Sequence, residues 1–410
     1  MTYETILYII LALFIWEFIF SKTLDYLNTK NWKETLPEEL KDIYDEQKYK
    51  KSMKYEKVKS KFSSITGIFS FVLMLLVLVF WGFGWLDNIV KNITDVSLLQ
   101  SLYFFWIIFV IQTLISLPIS YYSTFVIEQN FGFNKMDKKM FFLDTIKSLV
   151  LWVVIGGVLL SAVIFIYNYA WNLFWLYAWG LITFFSVFMM MFYSSIIVPI
   201  FNKQTPLEDG ELRTGIQAFA DKVWFTLDNI FVIDGSKRSS KANAYFSGFG
   251  PKKRIVLYDT LIKDLEVEEL VAVLAHEIGH YKRKHTLQML AFSIIQTWAM
   301  LYILGLALNY SEISQALWAT TGSFHVWAIA FGILFTPISI VLGTLWSILS
   351  RKNEYEADDF AKQNYNAEKL ESALIKLSRN NLSNLQPHPA YEFFHYSHPT
   401  VLKRLEALRK

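Results

Sequence analysis

Seven long apolar runs constrain the fold of this 410-residue chain more than any other feature of its sequence. A helix needs about 20 predominantly apolar residues to cross a bilayer. The runs cover Tyr3–Phe20, Ile65–Leu86, Leu98–Ile119, Ser148–Ala170, Leu173–Ile200, Thr286–Leu308 and Val326–Leu349. Hydrophobic residues make up 54% of the chain and charged residues 18%, which also indicates a membrane protein. We therefore predict seven transmembrane helices, of which the fourth and fifth form a tight hairpin.

The positions of the basic residues predict how these helices are oriented. Segments 21–64, 121–147, 201–285 and 350–410 contain 11, 4, 13 and 10 Lys or Arg residues, whereas the alternate loops contain only Lys91. Positively charged loops stay on the cytoplasmic side of a membrane. We therefore predict an external N-terminus and a cytoplasmic C-terminus. The first run lacks the basic start and the small-residue cleavage site of a signal peptide, so we expect it to remain as a helix.

The same pattern divides the chain into four parts. Residues 1–200 hold five transmembrane helices and a lysine-rich cytoplasmic loop at 21–64, and residues 201–285 form a soluble region. Residues 286–349 hold the last two transmembrane helices, and residues 350–410 form a cytoplasmic helical tail. The predicted fold class is an all-α polytopic membrane protein with a small α+β region on the cytoplasmic side.

The soluble region combines helical and strand patterns. We predict a turn at Thr205–Glu211, a helix to about Val223, a strand at Leu227–Ile233, two paired strands at Ala244–Gly248 and Arg254–Tyr258 joined by a turn at 250–253, and a helix from Leu261 onward.

The predicted helix after Leu261 carries a metal-binding pattern, His276-Glu-Ile-Gly-His280. Two histidines four residues apart leave the same face of a helix, one turn apart. They can bind one Zn²⁺, and Glu277 beside them is placed to act as a general base. The chain contains no cysteine, so the remaining metal ligands must be histidine or carboxylate groups.

We predict Glu354 as the third ligand because of the membrane topology. His276 and His280 come just before the sixth apolar run, and Glu354 comes just after the seventh. An antiparallel pair of membrane helices returns both ends to the same face of the bilayer. Asp358, one helical turn beyond Glu354, is predicted to orient a ligand imidazole. Glu356 is expected to face away from the metal.

The other histidines are predicted to lie outside this site. His285 follows His280 by five residues, which on a continuous helix is about 140° of rotation, so it is expected to face elsewhere. His325 falls on the opposite side of the membrane. His388 and His395 lie in a turn-rich aromatic stretch and are interpreted as structural.

Several motifs, in this order, resemble those of one known family, the type I CAAX prenyl proteases, which are integral-membrane zinc metalloendopeptidases of the gluzincin type. The resemblance covers nearly the whole chain. The motifs that carry it are Trp16-Glu17, Leu36–Leu40, Tyr122, Thr124–Glu128, Gly132–Asn134, Ser236–Ser240, Asn243–Phe246, Lys253–Leu257, His276–His280, Glu354–Asp358 and Ser397–Pro399.

The resemblance implies seven helices around a large intramembrane chamber, with one Zn²⁺ per chain at one end. It implies Glu354 as the third ligand, in agreement with the topological argument. It also implies active-site roles for Asn243, His398 and Arg404. A histidine and an arginine near the metal can donate hydrogen bonds to the oxyanion of the reaction, and an asparagine can hold them or the substrate backbone. From the residues alone, each of the three also fits a structural role.

The function that these observations predict is hydrolysis of peptide bonds, which in the family removes the last three residues of prenylated proteins. The absence of cysteine and the Lys/Asn-rich composition favour a prokaryotic source, so a membrane-protein quality-control protease is the alternative. The non-enzyme alternatives are a seven-helix transporter and a zinc-binding scaffold. Glu4 and Glu17 are the only charges within the apolar runs, which argues against the transporter, and a scaffold has no need of Glu277.

We expect a hydrophobic or lipidated peptide or protein as substrate and membrane lipids as partners. Lys48–Lys61 is interpreted as a solvated cytoplasmic helix near anionic lipid, with no role for nucleic acid. The expected location is the bacterial inner membrane, or the endoplasmic reticulum in a eukaryote, with the active site facing the cytoplasm. The oligomeric state is left open.

Overall fold

The computed structural model describes the chain except for residues 34, 42, 227–229, 248–253 and 320–322 and the side chains of residues 39, 171, 246 and 247. The first part of the chain comprises α1 (Tyr3–Lys30), α2 (Glu46–Val79), α3 (Gly82–Ile93), α4 (Ser97–Tyr122), α5 (Gln129–Phe131), α6 (Lys138–Leu151), α7 (Gly157–Tyr169), α8 (Phe174–Ile196) and α9 (Val198–Phe201). Turns of π-helix at Ser123–Glu128 and Trp152–Gly156 continue α4 into α5 and α6 into α7.

The second part of the chain contains the strands and the remaining helices. These are β1 (Gln204–Pro206), α10 (Glu211–Lys222), β2 (Ile230–Ile233), β3 (Ala244–Ser247), β4 (Arg254–Tyr258), α11 (Asp259–Asp264), α12 (Val267–Lys282), α13 (His285–Ala307), α14 (Glu312–Gln315), α15 (Phe324–Leu334), α16 (Thr336–Asn364), α17 (Ala367–Asn380), α18 (Pro389–His395) and α19 (Val401–Arg409). Short 3-10 helices lie at Glu38–Leu40, Trp171–Leu173 and Gly235–Lys237. We call residues 202–284 and 350–410 the polar lobe.

Within the described residues, six helical stretches are long and apolar enough to cross a membrane, and a seventh results when α15 and α16 are taken as one span bent by 58°. The six are Tyr3–Lys30, Glu46–Val79, Ser97–Phe131, Lys138–Tyr169, Phe174–Phe201 and His285–Ala307. The prediction of a mostly helical membrane protein with seven spans is confirmed, and the predicted hairpin between the fourth and fifth spans is present. The second span ends before Leu86, the residue predicted to close it. It ends at Val79 because Trp81 adopts a left-handed backbone conformation, φ 61°, from which α3 begins.

Two hydrophobic cores lie at opposite ends of the spans. One joins the span ends that are remote from the polar lobe and includes Ile10, Leu78, Phe104 and Phe174. The other lies within the polar lobe, between the sheet, α10, α12 and α17. Between these cores the spans pack sparsely. In each of the six unbent spans, only 6–11% of the most apolar 18-residue segment is buried. Such low burial agrees with helices that surround an open interior rather than a common packed centre.

A buried polar cluster fastens the remote end of the bundle. Asp87 of α3 accepts hydrogen bonds from Ser323 at 2.7 Å and from Lys91 at 2.8 Å, and its Oδ1 lies 2.9 Å from Nε2 of His325. Nδ1 of His325 lies 3.0 Å from the hydroxyl of Ser101 on α4. A buried carboxylate requires such partners. His325 therefore lies at the end remote from the polar lobe, as predicted.

The small α+β region contains a four-stranded sheet with the order β1-β2-β4-β3. Strand β2 pairs in parallel with β4, and both outer pairings are antiparallel. The predicted strands at 230–233, 244–247 and 254–258 are present, whereas the turn at 250–253 and the start of the strand at 227–229 lie outside the described residues. The prediction of a turn beginning at Thr205 is wrong, because Gln204–Pro206 pairs with Phe231–Ile233 as strand β1.

The helix predicted from Leu261 onward is divided into α11 and α12. Glu266 adopts an extended conformation and begins α12 with a capping box, in which Glu269 accepts a hydrogen bond from the backbone N–H of Glu266 at 2.8 Å. The buried carboxylate of Glu269 also accepts hydrogen bonds from Ser372 at 2.6 Å and from Lys376 at 2.8 Å. The start of the motif helix is thus tied to α17 of the C-terminal tail.

The pKa of Glu269 lies below its ordinary value near 4.5, because Lys376, Ser372 and the Glu266 backbone outweigh the effect of burial, which by itself raises the pKa. A carboxyl group with a lowered pKa in the folded state stabilises that state above its unfolded pKa, and the stabilisation is lost as the pH falls through the folded pKa.

We expect Glu269→Gln to lower the free energy of unfolding by about 1–3 kcal/mol at pH 7, because Lys376 then keeps a charge beside a neutral buried group. Thermal unfolding of both proteins between pH 7 and acidic pH measures this effect, and the difference should shrink below about pH 4.3. Glu268→Gln is the matched control, since this neighbouring side chain is 62% exposed and pairs only with Lys369 at the surface. A gap between Glu269→Gln and wild type that does not change with pH would contradict the assignment.

Candidate active site

The crossing of α12 and α16 places the predicted site residues together. Helix α12 enters the polar lobe core through a fully buried stretch, Leu270–His276. At Gly279, one turn further, an added Cβ would lie 3.1 Å from the carbonyl oxygen of Ala357 and 3.1 Å from Cβ of Phe360. These distances are shorter than most Cβ contacts, so α16 approaches the backbone of α12 as closely as it does because this residue lacks a side chain.

Three potential metal ligands meet at this crossing. Nε2 of His276 lies 3.2 Å from Nε2 of His280, and the two nitrogens lie 3.5 Å and 3.3 Å from the carboxylate oxygens of Glu354. Metal–ligand bonds of about 2.0–2.1 Å in a tetrahedron place ligand atoms about 3.3 Å apart. The three side chains therefore have the chemistry and the spacing of a two-histidine, one-glutamate metal site, with the fourth position left for a non-protein ligand.

A second set of charged groups holds these ligands. Nδ1 of His276 lies 2.8 Å from Asp358, whose carboxylate accepts from Nε of Arg404 at 2.8 Å and also pairs with its Nη2. Nη1 of the same guanidinium lies 3.3 Å from Glu354. All four residues are at most 9% exposed, so each compensates the cost of burying the others. Such partners fix the orientation and the tautomer of a ligand histidine.

His285 lies against the site, so the prediction that it faces elsewhere is wrong. Its Nδ1 lies 3.0 Å from Nδ1 of His280, and its Nε2 lies 3.1 Å from Glu356. The physical reason is a break in the helix. Lys284 has φ 62°, so His285 begins a new helix, α13, and a rotation counted along one continuous helix does not apply. Glu356 lies outside the group of three ligands, as predicted, but it contacts that group through His285.

His276 and Glu354 border a cavity of about 270 Å³ that is also lined by Asn243, Glu277, His398 and Arg404. Glu277 projects from α12 beside the histidines and is half-buried. The imidazole of His398, 65% exposed, places Nδ1 2.9 Å from Glu354, and this contact raises the pKa of His398. The carbonyl oxygen of Asn243 accepts a hydrogen bond from the backbone N–H of Tyr258 at 3.1 Å, which fixes the start of β3 beside the cavity. All the predicted site residues therefore border the cavity or contact residues that do.

Two family models cover this chain. Residues 25–203 match the model described as CAAX prenyl protease N-terminal, five membrane helices, and residues 206–410 match peptidase family M48. CAAX prenyl protease 1 of Saccharomyces cerevisiae is 36% identical over 96% of this chain and 92% of its own length. This chain belongs to the CAAX prenyl protease group of peptidase family M48. It is therefore a membrane-embedded metallopeptidase, as its sequence predicted.

A further relative and a solved structure support the same family for this M48 peptidase. The CAAX prenyl protease 1 homolog of Homo sapiens is 31% identical over 91% of this chain and 88% of its own length. The crystal structure of S. mikatae Ste24p matches this fold with a TM-score of 0.93 and 35% sequence identity, and the match covers 100% of both chains. The similarity therefore includes the spans as well as the polar lobe.

Sequence reasoning missed two residues of the M48 peptidase site. His285 was excluded by its spacing, and the only local signal against that conclusion is the basic stretch Lys282-Arg-Lys284, which is a plausible place for a helix to end. Sequence reasoning gives Gly279 no role within the histidine motif. A glycine inside an otherwise buried apolar helix is itself a signal, because it lowers helix stability and usually has a packing reason.

We expect Gly279→Ala to separate α12 from α16 by a few tenths of an ångström, which lowers the free energy of unfolding by about 1–3 kcal/mol and weakens metal retention. Unfolding temperature and metal per chain after competition with a chelator measure the two effects. Gly343→Ala is the matched control, because it adds the same methyl group to α16 with nothing within 4 Å. Equal metal retention in the two variants would show that the close approach does not position the ligands.

Proposed function

We propose that this M48 peptidase is a zinc endopeptidase that cleaves hydrophobic or lipidated peptide segments at the boundary between membrane and cytoplasm. The observation that carries the proposal is the spacing of 3.2–3.5 Å among the ligand atoms of His276, His280 and Glu354, with Glu277 lining the same cavity. With no cysteine in the chain, a site of two histidines and one carboxylate suits zinc best.

The proposed mechanism assigns the proton transfers to Glu277. Zinc, when bound by the three ligands, supplies Lewis acidity toward the scissile carbonyl and toward a water molecule. Glu277 accepts the proton of the attacking water and passes it to the leaving amine. His398 lines the cavity with an exposed imidazole and donates a hydrogen bond to the developing oxyanion.

Arg404 is assigned a positioning role instead of a direct one. Its guanidinium nitrogens contact Asp358 and Glu354, and the side chain is only 10% exposed. These contacts direct the guanidinium at two carboxylates, although the side chain also lines the cavity. Arg404 and Asp358 together hold His276 and Glu354 in the ligand geometry, as second-layer partners do in other metal sites.

The substrate is proposed to bind as an extended strand along β3. Strand β3 is the edge of the sheet as the structure describes it, and Asn243 at its start borders the cavity. Oδ1 of Asn243 accepts the N–H of Ala244 at 2.9 Å, which leaves its amide NH₂ group for a substrate carbonyl. An extended peptide that adds to a sheet edge is a common mode of recognition.

The position of the site near the membrane supports a substrate with a hydrophobic or lipidated end. Glu354 follows the seventh apolar run by five residues, which is about 8 Å along a helix. The relatives reported above carry the name CAAX prenyl protease, which supports prenylated proteins as one substrate class. Quality control of membrane proteins is the second candidate, because the composition without cysteine and rich in Lys and Asn favours a prokaryote.

For location, we propose that the polar lobe faces the cytoplasm, because 38 of the 39 basic residues lie on that side of the spans. We propose the bacterial inner membrane, with the endoplasmic reticulum as the corresponding membrane in a eukaryote. One zinc ion per chain and membrane lipids as neighbours complete the proposal.

The role of Glu277 predicts that Glu277→Gln lowers kcat for peptide cleavage by about 10²–10⁴-fold, because a neutral amide cannot accept the water proton. Zinc should remain bound, since Glu277 is not a ligand. His276→Ala is the contrasting variant and should lose both zinc and cleavage. Elemental analysis and a peptide cleavage assay give both readouts. A Glu277→Gln enzyme that cleaves at the wild-type rate would overturn the assignment.

The substrate proposal predicts that a farnesylated peptide is cleaved with a higher kcat/KM than its unmodified twin. Burial of only two methylene groups, at about 0.8 kcal/mol each, gives about a tenfold preference. Both peptides should be assayed with the same micelle-embedded enzyme, and Glu277→Gln serves as the blank. Equal cleavage of the two peptides would favour the quality-control candidate.

A further inference from the structure

A second cavity lies on the polar lobe, apart from the active site. It is an open groove of about 710 Å³ between α6, the end of the fifth span and the sheet, and it shares no lining residue with the active-site cavity. Six basic side chains and three carboxylates line it. The basic residues are Lys139, Lys147, Lys203, Lys237, Arg238 and Arg254, and the acidic residues are Asp137, Asp144 and Asp234.

Half of the basic groups are paired with carboxylates of the groove. Arg238 donates two hydrogen bonds to Asp144, at 2.8 and 3.1 Å, and a third to the carbonyl oxygen of Phe201 at 2.6 Å. Lys237 lies 2.6 Å from Asp234, and Lys147 lies 3.8 Å from Asp144. These contacts join α6, the end of the fifth span and the sheet, so they give the groove fixed walls.

The other three basic groups have no carboxylate partner within the described part of the chain. Lys139 and Lys203 are exposed, and the guanidinium of Arg254 lies 4.8 Å from the ring centre of Phe231 without an ion pair. They come from three separate elements, α6, the segment before β1, and β4. The groove thus concentrates three unpaired positive charges on a prepared surface, which favours an anionic ligand.

The depth of the groove points to a lipid. Nζ of Lys147 donates a hydrogen bond at 2.9 Å to the carbonyl oxygen of Ile200. Lys147 immediately precedes the fourth apolar run and Ile200 closes the fifth, so this bond lies where both spans leave the apolar zone. On both sides of it, α6 presents exposed apolar side chains, Leu143, Ile146 and Val150, at 46–56% exposure. A phosphate in the groove can therefore continue into acyl chains along α6.

We propose that this groove binds the phosphorylated headgroup of an anionic membrane lipid through Lys139, Lys203 and Arg254. Three unpaired cations suit a headgroup with more than one phosphate better than a neutral zwitterionic one, and basic pockets beside membrane helices bind such lipids. The site is independent of the catalytic residues, and neither zinc nor peptide cleavage is needed for it.

The test uses the full-length protein in neutral micelles, with lipid binding followed by native mass spectrometry. Cardiolipin, phosphatidylcholine and inorganic phosphate are the three probes. We expect wild type to bind cardiolipin and the triple variant Lys139→Gln/Lys203→Gln/Arg254→Gln to bind it about 100-fold more weakly, at about 1 kcal/mol per basic residue. The variant Lys222→Gln/Lys263→Gln/Lys410→Gln is the matched control, because it removes the same charge from exposed positions of the polar lobe outside the groove and should bind cardiolipin nearly as wild type does.

Four results would overturn the proposal. These are unchanged binding in the triple variant, an equal loss in the matched control, equal binding of phosphatidylcholine, or binding of inorganic phosphate as tight as that of cardiolipin. The last result would indicate a site for free anions. If replacement of Arg254 disturbs the sheet, Lys139→Gln/Lys203→Gln keeps the test valid, since both side chains are exposed, and it should weaken binding by at least about tenfold.

Discussion

The close contact between α12 and α16 is the constraint on which the catalytic half of the molecule depends. The two histidines and the glutamate are separated by two spans in sequence, and they meet only because those spans return to the same side of the membrane. The absence of a side chain at Gly279 then brings the two backbones close enough for Nε2 of His276 and of His280 to lie within 3.5 Å of Glu354. Topology brings the helices to the same region, and local packing sets the ligand spacing.

The two ligand histidines at that contact each have their own set of charged or polar partners. Asp358 and Arg404 act on His276 from one side, and Glu356 acts on His280 through His285 from the other. Burying a charged group without partners costs several kcal/mol, so neither set of residues is freely replaceable. A buried carboxylate with polar partners also occurs at the remote end of the spans, where Asp87 contacts His325 and Ser323. In both places polar contacts join helices that bury little apolar surface against one another in the middle of the bundle.

The sequence predicted what depends on local patterns. Apolar length predicted the spans, and the histidine spacing predicted the motif helix. The prediction of Glu354 succeeded because it depends only on the parity of the spans between it and the histidines. The prediction for His285 failed because it assumed a continuous helix, and a left-handed residue at Lys284 cannot be read from periodicity. The basic groove could not be predicted either, since tertiary structure alone brings Lys139, Lys203 and Arg254 together.

The two hydrophobic cores at opposite ends of the spans have a mechanical consequence. Helices that are held by a packed core at each end and are sparsely packed between the cores should be rigid at their ends and deformable in the middle. Within the mid-section, lateral pressure from the surrounding acyl chains takes the place of side-chain packing as the force that sets the spacing between helices. The thickness of the bilayer and the order of its acyl chains should then alter the width of the interior without altering the geometry at either hydrophobic core.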